Sequence, residues 1–455
     1  MALAASAGLP LTVLAAPAAT VAQPSPAASA PAVTPVPAPA ASEPAVAVPA
    51  PEASASPVPQ PPTGPVPVPI TVMQWDIGDA RALLGVIEHI GEEGLIPADY
   101  QPDQLRAALA LGPGPELDEA ASRSFTWLVE DMRDGRTPMT ARVQWFAVDP
   151  DMDSNPTALI MAKALDSHDV AGTIMGLAPT YPDYQVLKAA LAATPRAEKA
   201  KRAAIQINMD RWRWLPQDLG LLYLITNVPE YQLRLATNHR IVRTYRTIVG
   251  KPGRTATPQL AEHVEAVVFN PTWTVPQSIV VGEGLGASLL RRPRAGYKVS
   301  RAANGTITVV QQPGPNNSLG LMKIDMPNPH AIYLHDTPNR SLFNAQTRAF
   351  SHGCVRTERA QELGMTMAML GAGLTIEQAV EYAQSGKYTK VQMSQTFPVY
   401  IVYFTMAQDI TGKLSSFADL YGRDAPVLAS FAKPRVAKTT QRKSEEAIIK
   451  LDNPL

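Results

Sequence analysis

The hydrophobic pattern divides most of the chain into a helical part and a β-rich part. From about residue 78 to 200 the apolar residues recur with a helical period, as in ARALLGVIEHI, FTWLVEDMRDG and PDYQVLKAALAA, and Gly and Pro stand at the joins. From Leu219 onward alternation and β-branched residues take over, as in LLYLITNV and VEAVVFN. The pattern therefore predicts an α+β protein, with a helical domain over residues 78–218 and a β-rich domain over residues 219–433.

Several local elements follow from the same pattern. Asn238-His239 lies between two alternating runs and indicates a hairpin turn, and SIVVGEG continues the β-rich pattern. A polar stretch over residues 287–318 ends in a Gly/Pro/Asn cluster, which is typical of a loop or small subdomain; we expect it to overhang the sheet as a lid. Helices are predicted over residues 355–370 and from Thr375, followed by a strand at FPVYIVYFTM.

The two ends of the chain have a different composition. Residues 1–22 are apolar and rich in small residues, with Thr20-Val21-Ala22 resembling a cleavage site, so we interpret them as a secretory signal. Pro, Ala, Val, Ser and Thr dominate the segment up to about residue 77, which predicts a disordered, extended tether. Lys, Arg, Ser and Glu mix in residues 434–455, which predicts a mobile tail.

Composition excludes several classes of function. Lys plus Arg and Asp plus Glu both count 40 in 455 residues, so no net charge attracts the chain to nucleic acid. A single cysteine, Cys354, rules out an intramolecular disulfide and a multi-cysteine metal site. Beyond the signal, no stretch reaches the roughly 18 to 20 apolar residues of a membrane-spanning helix. Nothing in the sequence indicates a cofactor or a metal.

The candidate chemistry lies in IYLHDTPNRSLFNAQTRAFSHGCVR, residues 332–356. A strand is expected to end at His335, and a loop then delivers Ser351-His352-Gly353-Cys354 to the start of the predicted helix. A sulfur at a helix N-terminus faces unpaired amides and the positive end of the helix dipole, both of which favour the thiolate. The amides of Gly353 and Cys354 can hold an oxyanion, and a residue without Cβ allows the tight turn.

A nucleophilic thiol needs a base within hydrogen-bond reach, and two histidines are candidates. We favour His335, on the incoming strand. His352 is in the turn itself, and we expect it to orient the loop. Whether the side chain of Asp336 or a backbone carbonyl orients the imidazole stays open.

These residues resemble those of the YkuD-type L,D-transpeptidases, in which a histidine precedes the cysteine of an SHGC motif. The segments RWRWLP, LLYLITNVPEYQLRL, VVFNPTWTVP and LGLMKIDMPNPHAIYLHDTP resemble the larger YcbB-like branch, and EEGLIPADY and VEDMRDGRTP resemble its helical scaffold domain. The resemblance implies a β-sandwich catalytic domain, with His335 as general base and Cys354 as the acylated nucleophile. No separate three-helix peptidoglycan-binding module is evident.

The resemblance also implies substrates. A peptidoglycan tetrapeptide stem would be the acyl donor, a diaminopimelate amine the acceptor, and carbapenems inhibitors, in the periplasm of a Gram-negative cell. Candidate substrate contacts are Arg356, Arg348, Tyr333 and Ser351. Each arginine could instead form a structural ion pair or brace the loop. Tyr333 could instead be an aromatic residue of the core.

Three other functions fit parts of the pattern. A hydrolase of the same fold would pass the acyl group to water, and a non-catalytic protein would only bind wall peptides. A metal site at His335, His352 and Cys354 lacks a carboxylate or further thiolate at the usual zinc spacing.

Overall fold

The computed structural model describes residues 66–149, 156–444 and 446. The expected signal and most of the expected tether lie outside these residues. Helices predominate from Ile77 to Trp212, as the apolar period predicts. They are α1 Ile77–His89, α2 Pro102–Leu111, α3 Pro115–Asp134, α4 Thr157–Asp166, α5 Val170–Met175, α6 Pro182–Ala193 and α7 Lys199–Trp212, with 3₁₀ turns at Ile90–Glu93, Pro97–Tyr100 and Met139–Ala141.

The ends of these helices are encoded locally. Asp76 caps α1 by accepting a hydrogen bond from the amide of Asp79 at 2.7 Å. Three of the helices, α2, α3 and α6, begin with proline, whose missing N–H costs nothing in the first turn. We call residues 77–212 the scaffold region.

A nine-stranded mixed sheet is the main element of the rest of the fold. Its strands are β1 Leu222–Asn227, β2 Gln232–Thr237, β3 Arg240–Gly250, β4 Leu260–Phe269, β8 Met322–Asp325, β9 Leu334–His335, β10 Ala349–Ser351, β11 Val355–Thr357 and β12 Thr389–Val402. The strand order is β10-β3-β11-β9-β8-β4-β12-β1-β2, and β2 also pairs with β3, so the sheet closes on itself. The expected hairpin turn is confirmed, because Asn238 and His239 join β2 to β3 with φ of 48° and 60°.

One face of the sheet packs on helix α10, Ala360–Ala372, and forms the main apolar core. Leu363, Met367 and Ala368 of this helix are fully buried. Helix α11, Ile376–Gln384, follows from a capping box at Thr375, as expected. The opposite face of β1 and β12 packs on the scaffold region, where the ring of Trp212 stacks on Phe404 with centroids 4.6 Å apart.

A small subdomain is inserted after β4. It contains β5 Trp273–Thr274, α8 Gln277–Val280, α9 Leu285–Arg291, β6 Tyr297–Arg301 and β7 Ile307–Gln311, and the three strands form their own sheet in the order β5-β7-β6. Its separate core consists of Val275, Val280, Leu289 and Val309. The reading of SIVVGEG as a strand was wrong, because residues 277–280 are helical. We call residues 273–311 the inserted subdomain.

Both ends of the described chain are docked on the scaffold region. The amide of Val68 donates to the carbonyl of Lys438 at 2.9 Å, and Trp75 is 3% exposed, so this end of the expected tether is ordered. Arg435 forms ion pairs with Glu130 at 2.7 Å and Asp131 at 2.9 Å, and its side chain is only 3% exposed. The prediction of a mobile tail from residue 434 was therefore wrong for residues 434–444, because buried acids of α3 hold them.

A last short pair of strands, β13 Met406–Gln408 and β14 Leu414–Ser416, precedes helix α12, Asp424–Phe431. Within the described part of the chain, no helix is both long and apolar enough to span a membrane. The helical scaffold region and the sheet-rich domain agree with the expected fold class.

Candidate functional site

The register of three central strands brings the candidate residues to one face of the sheet. Lys323 on β8 is paired with His335 on β9, and His335 is paired with Arg356 on β11. Paired residues point to the same side of a sheet, and so do residues two apart on one strand. Tyr333 and Cys354 therefore lie on the same face as His335, one pleat along. This face is opposite to the one that packs on α10.

Cys354 does not lie at a helix N-terminus. It immediately precedes strand β11, Val355–Thr357, which pairs with β9 and β3, and helix α10 begins only at Ala360. The predicted helix over residues 355–370 was wrong at its start, because ladder hydrogen bonds to two neighbouring strands hold residues 355–357 extended. Arg359, with φ of 50°, separates this strand from the helix. Helix amides therefore do not stabilise a Cys354 thiolate.

The surroundings of Cys354 oppose and assist its ionisation. The residue is 9% exposed, and its thiol donates to the carbonyl of Ala331, with sulfur and oxygen 3.6 Å apart. Burial raises the pKa of the thiol, whereas hydrogen bonding from Tyr333 and the charges of Lys323 and Arg356 act to lower it. The groups that favour the thiolate are thus the backbone and side chain of Tyr333 and two cations rather than a helix, and burial outweighs them.

His335 is held as a neutral imidazole. It is 5% exposed, and burial, followed by the charge of Arg356 and that of Lys323, lowers its pKa to about 3. Among the residues that the structure describes, its buried Nδ1 has no hydrogen-bond partner. Asp336 does not supply one through its carboxylate, which accepts from the amide of Leu321 at 2.9 Å and from Arg340 at 3.3 Å. At neutral pH the ring is therefore unprotonated, and the same burial and cations oppose its protonation.

Tyr333 connects the sulfur, the imidazole and a buried cation. Its ring centroid is 5.5 Å from that of His335, and the Lys323 ammonium lies 4.5 Å from the same Tyr333 ring. Its hydroxyl interacts with both Cys354 and the side chain of Trp273. Burial, followed by the charge of Cys354, raises the pKa of Tyr333 well above its usual value, so the phenol stays protonated and can donate to the sulfur.

The loop that carries the thiol is tied down by its own side chains. The Ser351 hydroxyl donates to the carbonyl of Cys354 at 2.6 Å and accepts from the amide of Gly353 at 3.1 Å. Gly353 has φ of 119°, and a Cβ there would lie 3.1 Å from the Cδ1 of Ile332. Of the two amides expected to hold an oxyanion, that of Gly353 is used within the loop. The Cys354 amide is the better oxyanion donor for this reason.

Two residues outside the motif anchor the same loop. The Thr257 hydroxyl donates to the carbonyl of Gly353 at 2.8 Å and accepts from the amide of Gly250 at 2.9 Å. Tyr421 accepts from the amide of Thr257 at 3.2 Å and donates to the carbonyl of Gly250 at 2.7 Å. Sequence reasoning missed both, since neither lies near Cys354 along the chain.

His352 points away from the buried face. Its side chain is 50% exposed, and its Nε2 lies 3.8 Å from a carboxylate oxygen of Glu283 in the inserted subdomain. The arrangement therefore favours His335 as the base and puts His352 at the border between the loop and the inserted subdomain.

The two arginines expected to contact substrate differ. Arg348 donates to the carbonyls of Thr247, Ala345 and Tyr231, at 3.0 to 3.2 Å, so it braces the loop. Arg356 lies on the site face, and within the described part of the chain its buried Nε has no acceptor. Burial lowers its pKa. Arg356 is the better candidate for binding a carboxylate, and Ser351, 2% exposed, serves the loop.

Lys323 is the main site residue that the sequence interpretation missed. Its side chain is 9% exposed and forms an ion pair with Asp325 at 3.0 Å. A signal existed, because a lysine between Met322 and Ile324 in a strand interrupts an apolar run. Only the pairing of β8 with β9, however, shows that it faces His335.

A metal site at the thiol is not supported by the described residues. Within residues 66–149, 156–444 and 446, the ligand atoms of His335, His352 and Cys354 do not lie close enough together to share an ion. The group that does meet this criterion is Asp76, Asp79 and His168, in the scaffold region.

Comparison with known proteins agrees with this division of the chain. Residues 222–368 match the family model of the YkuD L,D-transpeptidase catalytic domain, and residues 75–191 match that of the scaffold domain. A curated protein of Haemophilus influenzae, named "Putative L,D-transpeptidase", is 30% identical over 242 residues, which cover 49% of this chain and 48% of that protein. The chain therefore spans about half the length of this relative.

Solved structures give more distant similarities. An L,D-transpeptidase from Mycobacterium smegmatis is 13% identical, with a TM-score of 0.20, over 40% of this chain and 58% of that one. L,D-transpeptidase 3 from Mycobacterium tuberculosis, in complex with a faropenem-derived adduct, is 11% identical, with a TM-score of 0.21. The similarity covers 40% of this chain and 60% of that one.

Proposed function

Because the chain carries a YkuD L,D-transpeptidase catalytic domain and a scaffold domain, we propose that it forms 3-3 cross-links in peptidoglycan through an acyl-enzyme at Cys354. The donor is a tetrapeptide stem, and the acceptor is the side-chain amine of a diaminopimelate on a neighbouring stem. The observation that carries this proposal is that Cys354 and His335 lie on one face of two adjacent parallel strands, with Tyr333 next to both.

In the first step, Cys354 passes its proton to His335, and the sulfur attacks the carbonyl between the third and fourth residues of the stem. The Cys354 amide donates to the oxyanion. When the C–N bond breaks, the protonated His335 returns the proton to the leaving nitrogen, and D-alanine departs. The products of this step are a thioester at Cys354 and free D-alanine.

In the second step, the diaminopimelate amine attacks the thioester, and neutral His335 accepts the proton that the amine loses. Collapse of the intermediate expels the thiolate and forms the new amide bond, and His335 returns the proton to the sulfur, which restores the thiol and the neutral imidazole. Arg356, whose buried Nε has no partner among residues 66–149, 156–444 and 446, is suited to bind a carboxylate of the stem.

A hydrolase is the second candidate, since water in place of the amine would complete the same cycle and release a tripeptide stem. The proposal of transfer rests on exclusion of water from the thioester, for which the inserted subdomain is suited: its Trp273 interacts with Tyr333, and its Glu283 faces His352. A purely wall-binding protein would leave Cys354 without a covalent role.

Incubation of the purified chain with tetrapeptide-stem muropeptides tests the proposal. We expect an intact-mass adduct of a tripeptide stem on Cys354, release of D-alanine, and cross-linked dimers among the products. The Cys354→Ala variant should give none of these. Tripeptide stems without dimers would indicate the hydrolase, and absence of any adduct would indicate a binding protein.

Carbapenems supply a second test of the nucleophile, because such lactams acylate reactive thiolates. We expect one carbapenem to add per chain, and none to add to Cys354→Ala. We propose further that the protein acts in the periplasm, as residues 1–22 suggest. Cell fractionation checks this, and recovery from the cytoplasm would contradict it.

A further inference from the structure

The inserted subdomain carries a concentrated positive charge. The cations lie between residues 291 and 301: Arg291, Arg292, Arg294, Lys298 and Arg301. The sequence from residue 284 to 318 contains neither Asp nor Glu, although acidic and basic residues balance at 40 each over the whole chain. The excess charge is therefore a property of this subdomain. We call these five residues the cationic segment.

The fold does not use these charges. All five residues are exposed, and within the part of the chain that the structure describes none of them forms an ion pair. Arginines elsewhere behave differently: Arg348 braces a loop, and Arg435 pairs with two buried acids. Unpaired like charges close together repel one another, so their concentration disfavours the fold slightly unless an anion binds.

The cationic segment belongs to the same subdomain that borders the thiol. The core of this subdomain fixes β6, which carries Lys298 and Arg301, to β7, and β7 pairs with β5 at Trp273. Trp273 in turn interacts with Tyr333 beside Cys354. A polymer strand whose stem reaches Cys354 must also pass this subdomain.

We propose that the cationic segment binds the carboxylate-bearing stem peptides of intact peptidoglycan, next to the stem that reacts. The proposal rests on the proposed function and adds a docking surface to it. Arginine forks match carboxylates in two-point hydrogen bonds, and exposed cations attract a polyanion over about a Debye length. A membrane surface fits less well. Membrane-binding surfaces commonly expose aromatic residues, whereas Tyr297, which lies between Arg294 and Lys298, packs on the core of the subdomain.

Retention on purified sacculi, as a function of salt, tests the proposal with the full chain. The test variant replaces Arg291, Arg292, Arg294, Lys298 and Arg301 by Gln. A control variant, Arg196→Gln/Lys199→Gln/Lys201→Gln, removes exposed cations from the scaffold region. A second test variant changes the four arginines to Lys, which keeps the charge.

We expect the Gln variant to bind sacculi about tenfold more weakly than the wild type at about 0.01 M salt, where the Debye length is about 30 Å. The difference should shrink at about 0.15 M salt, where that length is about 8 Å. The control and the Lys variant should stay within about threefold of the wild type.

Three results would overturn the proposal. The Gln variant could bind sacculi as strongly as the wild type does, or the scaffold control could lose as much sacculus binding as the Gln variant. The third such result is stronger binding of the wild type to anionic phospholipid vesicles than to sacculi. Carbapenem labelling of Cys354, measured on the same samples, separates this outcome from failure of the proposed function. Loss of sacculus binding with labelling intact concerns the cationic segment, whereas absence of labelling in the wild type concerns Cys354.

Discussion

Lys323 is paired directly with His335 across the antiparallel strands β8 and β9, so a buried ammonium stands on the same face as the imidazole and the thiol. A cation there lowers the pKa of both Cys354 and His335. We expect Lys323→Met to raise both values, and therefore to lower the thiolate fraction at neutral pH. Carbapenem acylation at pH 7 should slow about tenfold, the equivalent of about one pKa unit.

The pH profile of acylation checks the direction, since its acidic limb should move to higher pH in Lys323→Met. Lys390→Met is the matched control: Lys390 contacts the same Asp325, at 3.3 Å, but its side chain is 44% exposed. An unchanged profile in Lys323→Met, or an equal shift in Lys390→Met, would contradict the role of Lys323 at the thiol.

The two histidines of the motif should differ in their effect on turnover. His335→Ala removes the buried base, and we expect at least about a hundredfold loss of cross-linking. His352→Ala removes a half-exposed side chain near Glu283, and we expect less than about a tenfold loss. Cross-link formation from muropeptides measures both; a larger loss in the His352 variant would reverse the assignment of the base.

Burial of neutral His335 predicts a dependence of stability on pH. The pKa is about 3 in the folded chain and near its ordinary 6.5 when unfolded, so protons bind preferentially to the unfolded state in this range. Its contribution to stability is present above pH 6.5 and is lost as the pH falls towards 3. At pH 4 the loss should reach about 3 kcal/mol.

Unfolding by denaturant at pH 7 and pH 4 measures this loss. His335→Gln cannot titrate and should lose less stability between the two pH values than the wild type does. His352→Gln, at the half-exposed position, should follow the wild type. An equal loss of unfolding free energy between pH 7 and pH 4 in all three proteins would mean that His335 is not buried in neutral form.

Gly353 is expected to tolerate no side chain. Its φ of 119° is rare for other residues, and a Cβ would press on Ile332 beside the nucleophile. Gly353→Ala should cost about 1–3 kcal/mol of stability and slow carbapenem acylation. Gly85→Ala, in open space within helix α1, should instead stabilise the fold by about 0.5–1 kcal/mol. Thermal unfolding of both variants tests the contrast.

Arg435 is expected to stabilise the whole described chain. Its removal leaves Glu130 and Asp131 buried without their cation, so Arg435→Met should cost about 3–5 kcal/mol. Lys433→Met, at an exposed position two residues earlier, should change stability by less than about 0.5 kcal/mol. Denaturant unfolding compares them, and a mobile tail would make the two variants equal.

Local sequence patterns were enough to predict many of the helices and turns. Apolar period and proline placement predicted the scaffold helices, and the Asn238-His239 turn needs only its two residues and the strands beside them. Helix α11 was likewise predicted, from Thr375 onward. Each of these elements is determined by residues close together in the sequence.

The features that were missed depend on distant partners. Strand β11 is three residues long, too short for a period of its own, and it exists because β3 and β9 flank it. The charges of residues 434–444 suggested solvation, but the acids that bind Arg435 lie about 300 residues earlier. Lys323 needed the register of β8 and β9. Pairing across the chain is information that composition and period do not contain.

The docking of Arg435 on helix α3 has a consequence for synthesis. A ribosome makes the scaffold region before the sheet and reaches residue 435 only after all nine strands of the sheet have been translated. Until then Glu130 and Asp131 lack the cation that compensates their burial, and the bond between Val68 and Lys438 cannot form. The scaffold region is thus translated before the sheet, but its full stability depends on the final segment of the described chain.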